Sequence, residues 1–447
     1  MRGCSDCAKY EKQIKTLHEE IDLLKFELNK LRSDYFNRSR EKPPKDKTTK
    51  TPLKKKGGLF EHIGWSRKKP KQIDRIEEVT LKVCPCCGSK DIHECAGVEE
   101  HIQEDIFLPR TETVLYRKRR YYCSSCRKTV TGHGENELAK SSIGPTAKAF
   151  SIFLKHDVKI SERDIRMLFQ KMFNMKITVS SITGFKGQFA EKASGIWENL
   201  RKELVRGSHI HADETGWRVN EETAWLWKFS NKETSITHID KGRGQKVVEN
   251  ILGQSYDGVL ISDYLSAYNK ILAKGKQKCL VHILRDLKKV IEYWQGDEDV
   301  IRYCERLKKM FEGAIALHEK YKNCEWDKTY LAQSERIVSS LNDFAFPNPD
   351  KKILSRFAKR LERHKNEMFT FLYVRDIDYH NNHAEQQIRP NVILRKITNG
   401  SRSYDGAKIH SVCTSILQTV KLRGIDPLET LRQILLSPET TNANFPP

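Results

Sequence analysis

The apolar positions of the N-terminal segment recur at a fixed interval. Tyr10, Ile14, Leu17, Ile21, Leu24, Leu28, Leu31 and Tyr35 follow one another at steps of 4, 3, 4, 3, 4, 3 and 4, and the positions between are mostly Lys, Glu, Asp and Asn. A seam of this period with charged flanks predicts a coiled coil over residues 8–37. Ile and Leu alternating along the seam suit a parallel dimer. The repeat runs for more than three heptads, which favours self-association over a helix packed on its own chain.

A helical pattern returns from Gly144 to about Leu204. Pro145 suits a first turn, and Ala147, Phe150, Ile152, Phe153 and Leu154 give an apolar face. Ser161-Glu-Arg-Asp164 reads as a capping box before Ile165, Leu168, Phe169 and Phe173, and Ser180 or Ser181 is placed to cap a helix from Ile182. Helices and a turn over residues 144–205 fit either a helix-turn-helix-like DNA-binding region or an ordinary helical subdomain.

From Ser208 the period changes to two. Ser208–Val219, Thr223–Ser230 and Thr234–Ile239 read as successive strands, Gln245–Ile251 as a short helix, Gly258–Ser262 as a buried strand and Cys279–Ile283 as another strand. Charged helical sequence follows from Leu284 to about Tyr373, broken at Phe346-Pro-Asn-Pro349. Gly400–Gly406 is a turn, Ile409–Leu422 an amphipathic helix, and Asp426-Pro427 opens a last short helix before a tail, 437–447, expected to be disordered. A three-stranded meander, a helix and a fourth strand are the opening of an RNase H-like fold. The expected class is multidomain α/β, with an RNase H-like domain at 206–436 that carries a helical insertion at about 284–375.

Charge adds a partner to this picture. The 447 residues carry 80 Lys and Arg against 59 Asp and Glu, a formal net charge of +21, which favours a polyanion. From Arg38 to Lys71 there are 13 Lys and Arg against 3 acids, with Pro43, Pro44, Pro52, Gly57 and Gly58, so residues 38–72 read as a flexible basic linker drawn to DNA phosphates. No apolar run approaches the length of a membrane span and no signal-peptide pattern follows Met1, so a cytoplasmic protein is expected.

The 12 cysteines then read as metal ligands or reduced thiols. Cys84-Pro-Cys86-Cys87 and Cys123-Ser-Ser-Cys126 are two knuckles with the ligand set of a structural zinc site, Cys84, Cys87, Cys123 and Cys126. Cys86 is a spare thiol inside the first knuckle, and Cys4 and Cys7 form a lone pair read as free thiols. The module, residues 73–135, resembles a zinc ribbon. Its expected strand Val114–Tyr122 carries Arg117, Lys118, Arg119 and Arg120 toward DNA.

Three carboxylates suggest chemistry. Asp213 lies on the first strand of the meander, and Asp263 follows the buried strand directly, which places both at one sheet edge. In the stretch Tyr379–Lys396 the one acid is Glu385; on a helix it shares a face with Asn382, Gln386 and Arg389. A carboxylate among amides and bases is what a metal-dependent site on a nucleic-acid backbone needs.

These motifs in order resemble the transposases of the insertion sequence 66 family. The resemblance rests on His211-Ala-Asp213-Glu-Thr-Gly216-Trp217, Ser262-Asp263-Tyr264, Cys279-Leu-Val-His282, Asn381-Asn382-His-Ala-Glu385 and Ile388-Arg389-Pro390, and it extends to Leu436. It implies a DDE-type catalytic triad of Asp213, Asp263 and Glu385 holding two Mg²⁺ or Mn²⁺ ions roughly 3.5–4 Å apart. Water would free a 3′-hydroxyl at an element end, and that hydroxyl would attack target DNA, with Arg389, Arg395 and Lys396 on the phosphates. The implied partners are double-stranded DNA, both element ends and target, and a second copy of the chain, with room for accessory proteins and a nucleoid-associated location. Two other readings compete: a zinc-dependent DNA-binding repressor with an inactive catalytic domain, and an RNase H-like nuclease. Ile21→Asp, at the middle of the seam, is expected to shift the protein toward monomer in sedimentation equilibrium; an unchanged oligomer would refute the seam.

Overall fold

The computed structural model describes residues 111–117, 119–124, 127–131, 134–138, 141–294, 296–342 and 352–437, with isolated helical positions between Thr16 and Glu27. All of these belong to one of the chain's two units, residues 1–31 with 111–447; the other unit is Arg32–Arg110. The basic linker, Cys84, Cys87, Cys126, Lys118, the Phe346–Pro349 break and residues 438–447 lie outside the described residues. Leu17, Ile21 and Leu24 of the heptad seam are helical and exposed.

A hairpin comes first: β1 (Arg120–Cys123) pairs antiparallel with β2 (Lys128–Thr131). The strand expected from Val114 is shorter than its β-propensity suggested, because 114–117 have no partner ladder among the described residues. Helices α1 (Pro145–Phe153), α2 (Glu162–Phe173), α3 (Val179–Lys192) and α4 (Ser194–Arg206) follow, with one π turn, Leu154–Val158, after α1. Ser161 caps α2 by accepting from the Asp164 amide. The cap of α3 is neither Ser180 nor Ser181. Thr178 accepts from the Ser181 amide, so the helix starts a turn before Ile182 and both serines fall inside it.

The centre is a mixed five-stranded sheet. Its strands are β3 (His209–Val219), β4 (Glu222–Ser230), β5 (Ser235–Asp240), then, after α5 (Gln245–Leu252), β6 (Ser255–Ser262) and β7 (Leu272–Lys278), in the order β5-β4-β3-β6-β7. The meander β3–β4–β5 is antiparallel, while β6 and β7 run parallel to β3. Cys279–Ile283 is not a strand. Cys279 precedes α6 (Leu280–Tyr293), whose Leu280, Ile283, Leu287 and Val290 recur at helical spacing and are buried. The strand is the preceding LAKGKQK, masked in the sequence by its lysines.

Alternation along the strands divides the core. Ile210, Ala212, Trp227, Phe229, Ile236 and Leu260 share a cluster with α1, α3, α4, α5 and two later helices, α11 (Tyr404–Leu422) and α12 (Pro427–Leu436). The helical region 144–205 therefore shares a core with the sheet. Val259 and Ile261 point into a second cluster with α6 and with α7 (Glu298–Lys320), α8 (Lys328–Asn342) and α9 (Lys352–His364), so the inserted helices pack on the sheet. The insertion closes its own ends. The Leu280 amide donates to the Tyr379 carbonyl at 2.9 Å, where the chain returns to enter α10 (Asn382–Thr398).

After α10 the chain doubles back on β3. Gly400 has φ +109°, and the Ser401 amide donates to the Arg218 carbonyl at 2.8 Å. A Cβ on Gly400 would lie 2.3 Å from that carbonyl oxygen. Gly400→Ala combines a disfavoured φ with a backbone clash, and is expected to cost at least about 1–3 kcal/mol in urea unfolding; an unshifted midpoint would contradict this geometry.

Candidate active site

β3 and β6 run in register, Ala212 beside Ser262, so the next residues of both strands, Asp213 and Asp263, meet at one edge of the sheet. Strand alternation would send Glu214 to the opposite face, yet one carboxylate oxygen each from Asp213, Glu214 and Asp263 lie within 4.8 Å of one another. The Asp213 Oδ1 accepts from the Glu214 amide at 3.0 Å, and the Asp263 Oδ1 accepts from the Leu265 amide at 2.9 Å.

Helix α10 delivers the third predicted acid beside this cluster. Asn381, 1% exposed, donates its Nδ2 to the Ala212 carbonyl at 2.7 Å, and its Oδ1 lies 3.2 Å from His211 Nδ1. Its backbone amide donates to Cys279 Sγ at 3.3 Å. One turn on, the Glu385 amide closes back on the Asn381 carbonyl. Glu385 is outside the three-oxygen set but near enough to act on Asp213, and its Oε1 lies 3.9 Å from His282 Nε2. His211 Nε2 is 3.7 Å from Asp378, but burial and the neighbouring His383 and His209 push the imidazole down to about 3, so it stays neutral and this contact is no ion pair at neutral pH.

Burial first, then the charges of Glu214, Asp263 and Glu385, push the Asp213 carboxyl up to about 8. Glu214 is raised in the same way by burial and by Asp263, against the pull of Arg243. Arg243 binds Glu214 at 2.8 Å and covers the Trp225 ring at 4.1 Å; Tyr268 donates to Glu214 at 3.3 Å. Lys278, fully buried on β7, donates to the Asp263 carbonyl at 2.9 Å, and burial pushes it down to about 8. Sequence reasoning missed Glu214, Arg243, Tyr268 and Lys278. Only Glu214, adjacent to Asp213, carried a signal, and alternation argued against it.

The other predicted site residues are dispersed. Arg389 and Lys396 are exposed on α10. Arg395 turns inward, donating to Thr215 Oγ1 at 3.2 Å and to the Gly216 carbonyl, and so ties α10 to β3. Arg117, Arg119 and Arg120 are exposed at the hairpin. Cys123 ends β1, while its three expected zinc co-ligands lie outside the described residues. Trp217 is a core residue, bonded to Ser401 and stacked on His410 at 4.9 Å.

The cluster is made of oxygen donors, the kind a hard divalent cation takes. Asp213 is held protonated by burial first and then by its acidic neighbours, while the counter-charge of Arg243 is spent on Glu214. A family model described as "Transposase IS66 family" matches residues 140–409, a span that contains the whole site. The chain belongs to this transposase family. It is also 23% identical over 408 residues, 81% of this chain and 72% of the other, to the "Uncharacterized protein y4qI" of Sinorhizobium fredii. No described helix is long and apolar enough to cross a membrane.

The unfolded Asp213 carboxyl loses its proton near pH ~4, and the folded one holds it to about 8. Its ionisation therefore erodes stability as pH rises through that window. Asp213→Asn is expected to raise the urea midpoint of metal-free protein at pH 8 and to change it little at pH 4. An equal shift at both would contradict the assignment.

Proposed function

We propose that this transposase-family chain cuts DNA at element ends and joins the freed ends to target DNA by metal-dependent phosphodiester chemistry. The observation that carries this reading is the meeting of Asp213 and Asp263 at one sheet edge beside the pinned N-terminus of the helix that bears Glu385. The strand order β5-β4-β3-β6-β7, three antiparallel then parallel, agrees with the RNase H-like expectation.

Asp213, Asp263 and Glu385 are the residues that would hold Mg²⁺ or Mn²⁺. Bound there, such ions supply Lewis acidity at the scissile phosphate and a water of lowered pKa. The protein's own part is placement. Asn381 fixes the start of α10, Lys278 fixes the backbone at Asp263, and Arg243 holds Glu214 in place. In the first step a water oxygen bonds to phosphorus and the P–O3′ bond breaks, leaving a 3′-hydroxyl and a 5′-phosphate. In the second, that 3′-oxygen bonds to a target phosphorus and displaces a target 3′-oxygen. The exposed Arg389 and Lys396 are placed to hold flanking phosphates, and the exposed Arg117, Arg119 and Arg120 to meet DNA away from the cut. The zinc module of Cys84, Cys87, Cys123 and Cys126 and a coiled-coil dimer remain part of this proposal, as the means of gathering two DNA ends.

The test is strand transfer with pre-cut element ends and Mg²⁺. Glu385→Gln is expected to lower the rate by about a hundredfold or more, the size of loss that follows removal of one electrostatic stabiliser. Glu214→Gln should lose less, since Arg243 already engages that carboxylate. Full activity in Glu385→Gln with activity lost in Glu214→Gln would reassign the third acid. Activity surviving both would sink the reading.

A further inference from the structure

A second polar site lies on the other side of α10 from Glu385. The segment after α1, helix α10 and helix α11 enclose a cavity of about 240 Å³. That is the room of roughly eight waters, below the range of drug-sized pockets. Its floor is apolar, with Leu394 and Leu417. Two of its polar lining residues, His156 and Asn391, carry groups that the fold does not satisfy.

His156 is 7% exposed, and neither ring nitrogen has a hydrogen-bond partner. It sits in the π turn Leu154–Val158, a departure from α geometry often found at functional sites. Burial, then the charge of nearby His410, keeps its imidazole neutral, so it offers one donor and one acceptor. Asn391 is 1% exposed. Its Oδ1 meets His410 Nε2 at 2.9 Å, while its Nδ2 has no partner. An orphaned buried amide or imidazole is costly unless something else completes it. Gln386 and Gln387 add two more amides to the lining, and Pro390 cannot donate to the Gln386 carbonyl. Lys421, held by Asp157 at 2.6 Å, supplies a cation there.

We propose that this cavity receives one unstacked nucleobase of the DNA substrate. Amides and a neutral imidazole present the mixed donors and acceptors that read a base edge, apolar side chains meet its face, and Lys421 suits the adjoining phosphate. Gln386 directly follows Glu385, so a strand crossing the first turn of α10 reaches both sites. A helix is about 10 Å across, and DNA advances ~3.4 Å per nucleotide along a strand. A strand passing round the helix covers about 16 Å, so the captured base lies within about five nucleotides of the phosphate at Glu385. The inference rests on the reading that the substrate is DNA.

The test uses the full-length chain and a duplex with a short single-stranded tail. Each nucleotide near the junction is replaced in turn by 2-aminopurine, which brightens when unstacked. One position is expected to brighten on binding, and an abasic site there to weaken binding about tenfold. Asn391→Leu and the gentler Gln387→Ala should both remove the brightening while DNA is still bound. Asp213→Asn should abolish strand transfer and keep the brightening, which separates this site from the catalytic one. No bright position, or brightening that survives in both Asn391→Leu and Gln387→Ala, overturns the proposal and leaves a hydrated cavity. Absence of all DNA binding overturns the DNA reading, and the base site with it.

Discussion

The side chain of Asn381 is the joint on which the candidate site depends. It bonds the Ala212 carbonyl and His211, on either side of the strand position just before Asp213, and its own amide meets Cys279 at the mouth of the inserted helices. Three segments far apart in sequence are thereby fixed around one buried amide. A buried amide satisfied on both its oxygen and its nitrogen is specific, because every displaced arrangement leaves one of them unpaired. The neutral state of His211 belongs to this joint: with Asn381 Nδ2 donating to Ala212, its Oδ1 accepts, and Nδ1 of His211 must carry the proton.

The joint works against an electrostatic load. Asp213, Glu214 and Asp263 crowd together with Glu385 nearby, and burial followed by this crowding raises the Asp213 and Glu214 carboxyls. The fold relieves the rim of the cluster and leaves its centre uncompensated. Arg243 and Tyr268 serve Glu214, and Lys278 serves the backbone of Asp263. Among the described residues the cations Arg243 and Lys278 meet Glu214 and the Asp263 carbonyl, not the Asp213 carboxyl. A cation placed there would relieve repulsion that the fold already carries.

Much of this was legible in the chain, for identifiable reasons. The strands β3, β4 and β5 were readable from their β-branched and aromatic runs between short turns, although both faces of the sheet are covered, and Asp263 is marked by the apolar run before it. Glu385 on a helix was readable from the spacing of its polar neighbours. Strand β7 was not, since LAKGKQK looks like solvent-facing sequence while Gln277 and Lys278 are in fact fully buried and hydrogen-bonded. Cys279–Ile283 misled in the opposite sense: a short apolar run suits a strand and a helix start equally, and its continuation through Leu287 and Val290 decides it. Glu214 was hidden because, in mid-strand next to Asp213, alternation assigns it to the opposite face, whereas a Glu side chain is long enough for its oxygen to reach the same cluster.

The long detour between Asp263 and Glu385 has a physical logic of its own. The inserted helices leave the sheet at Leu280 and return at Tyr379, two backbones joined by a hydrogen bond. An insertion whose ends already touch adds little strain to its host, and loop-closure entropy grows only slowly with length. The inserted helices then bury Val259 and Ile261, the face of β6 that continues to Asp263. The detour thus packs against the strand that leads into Asp263, and its closing bond sets the point from which Asn381 and then Glu385 begin. The predicted third acid is late in the chain yet placed beside the first, because Asn381 at the start of its helix is bonded to His211 and Ala212, directly before Asp213 on β3.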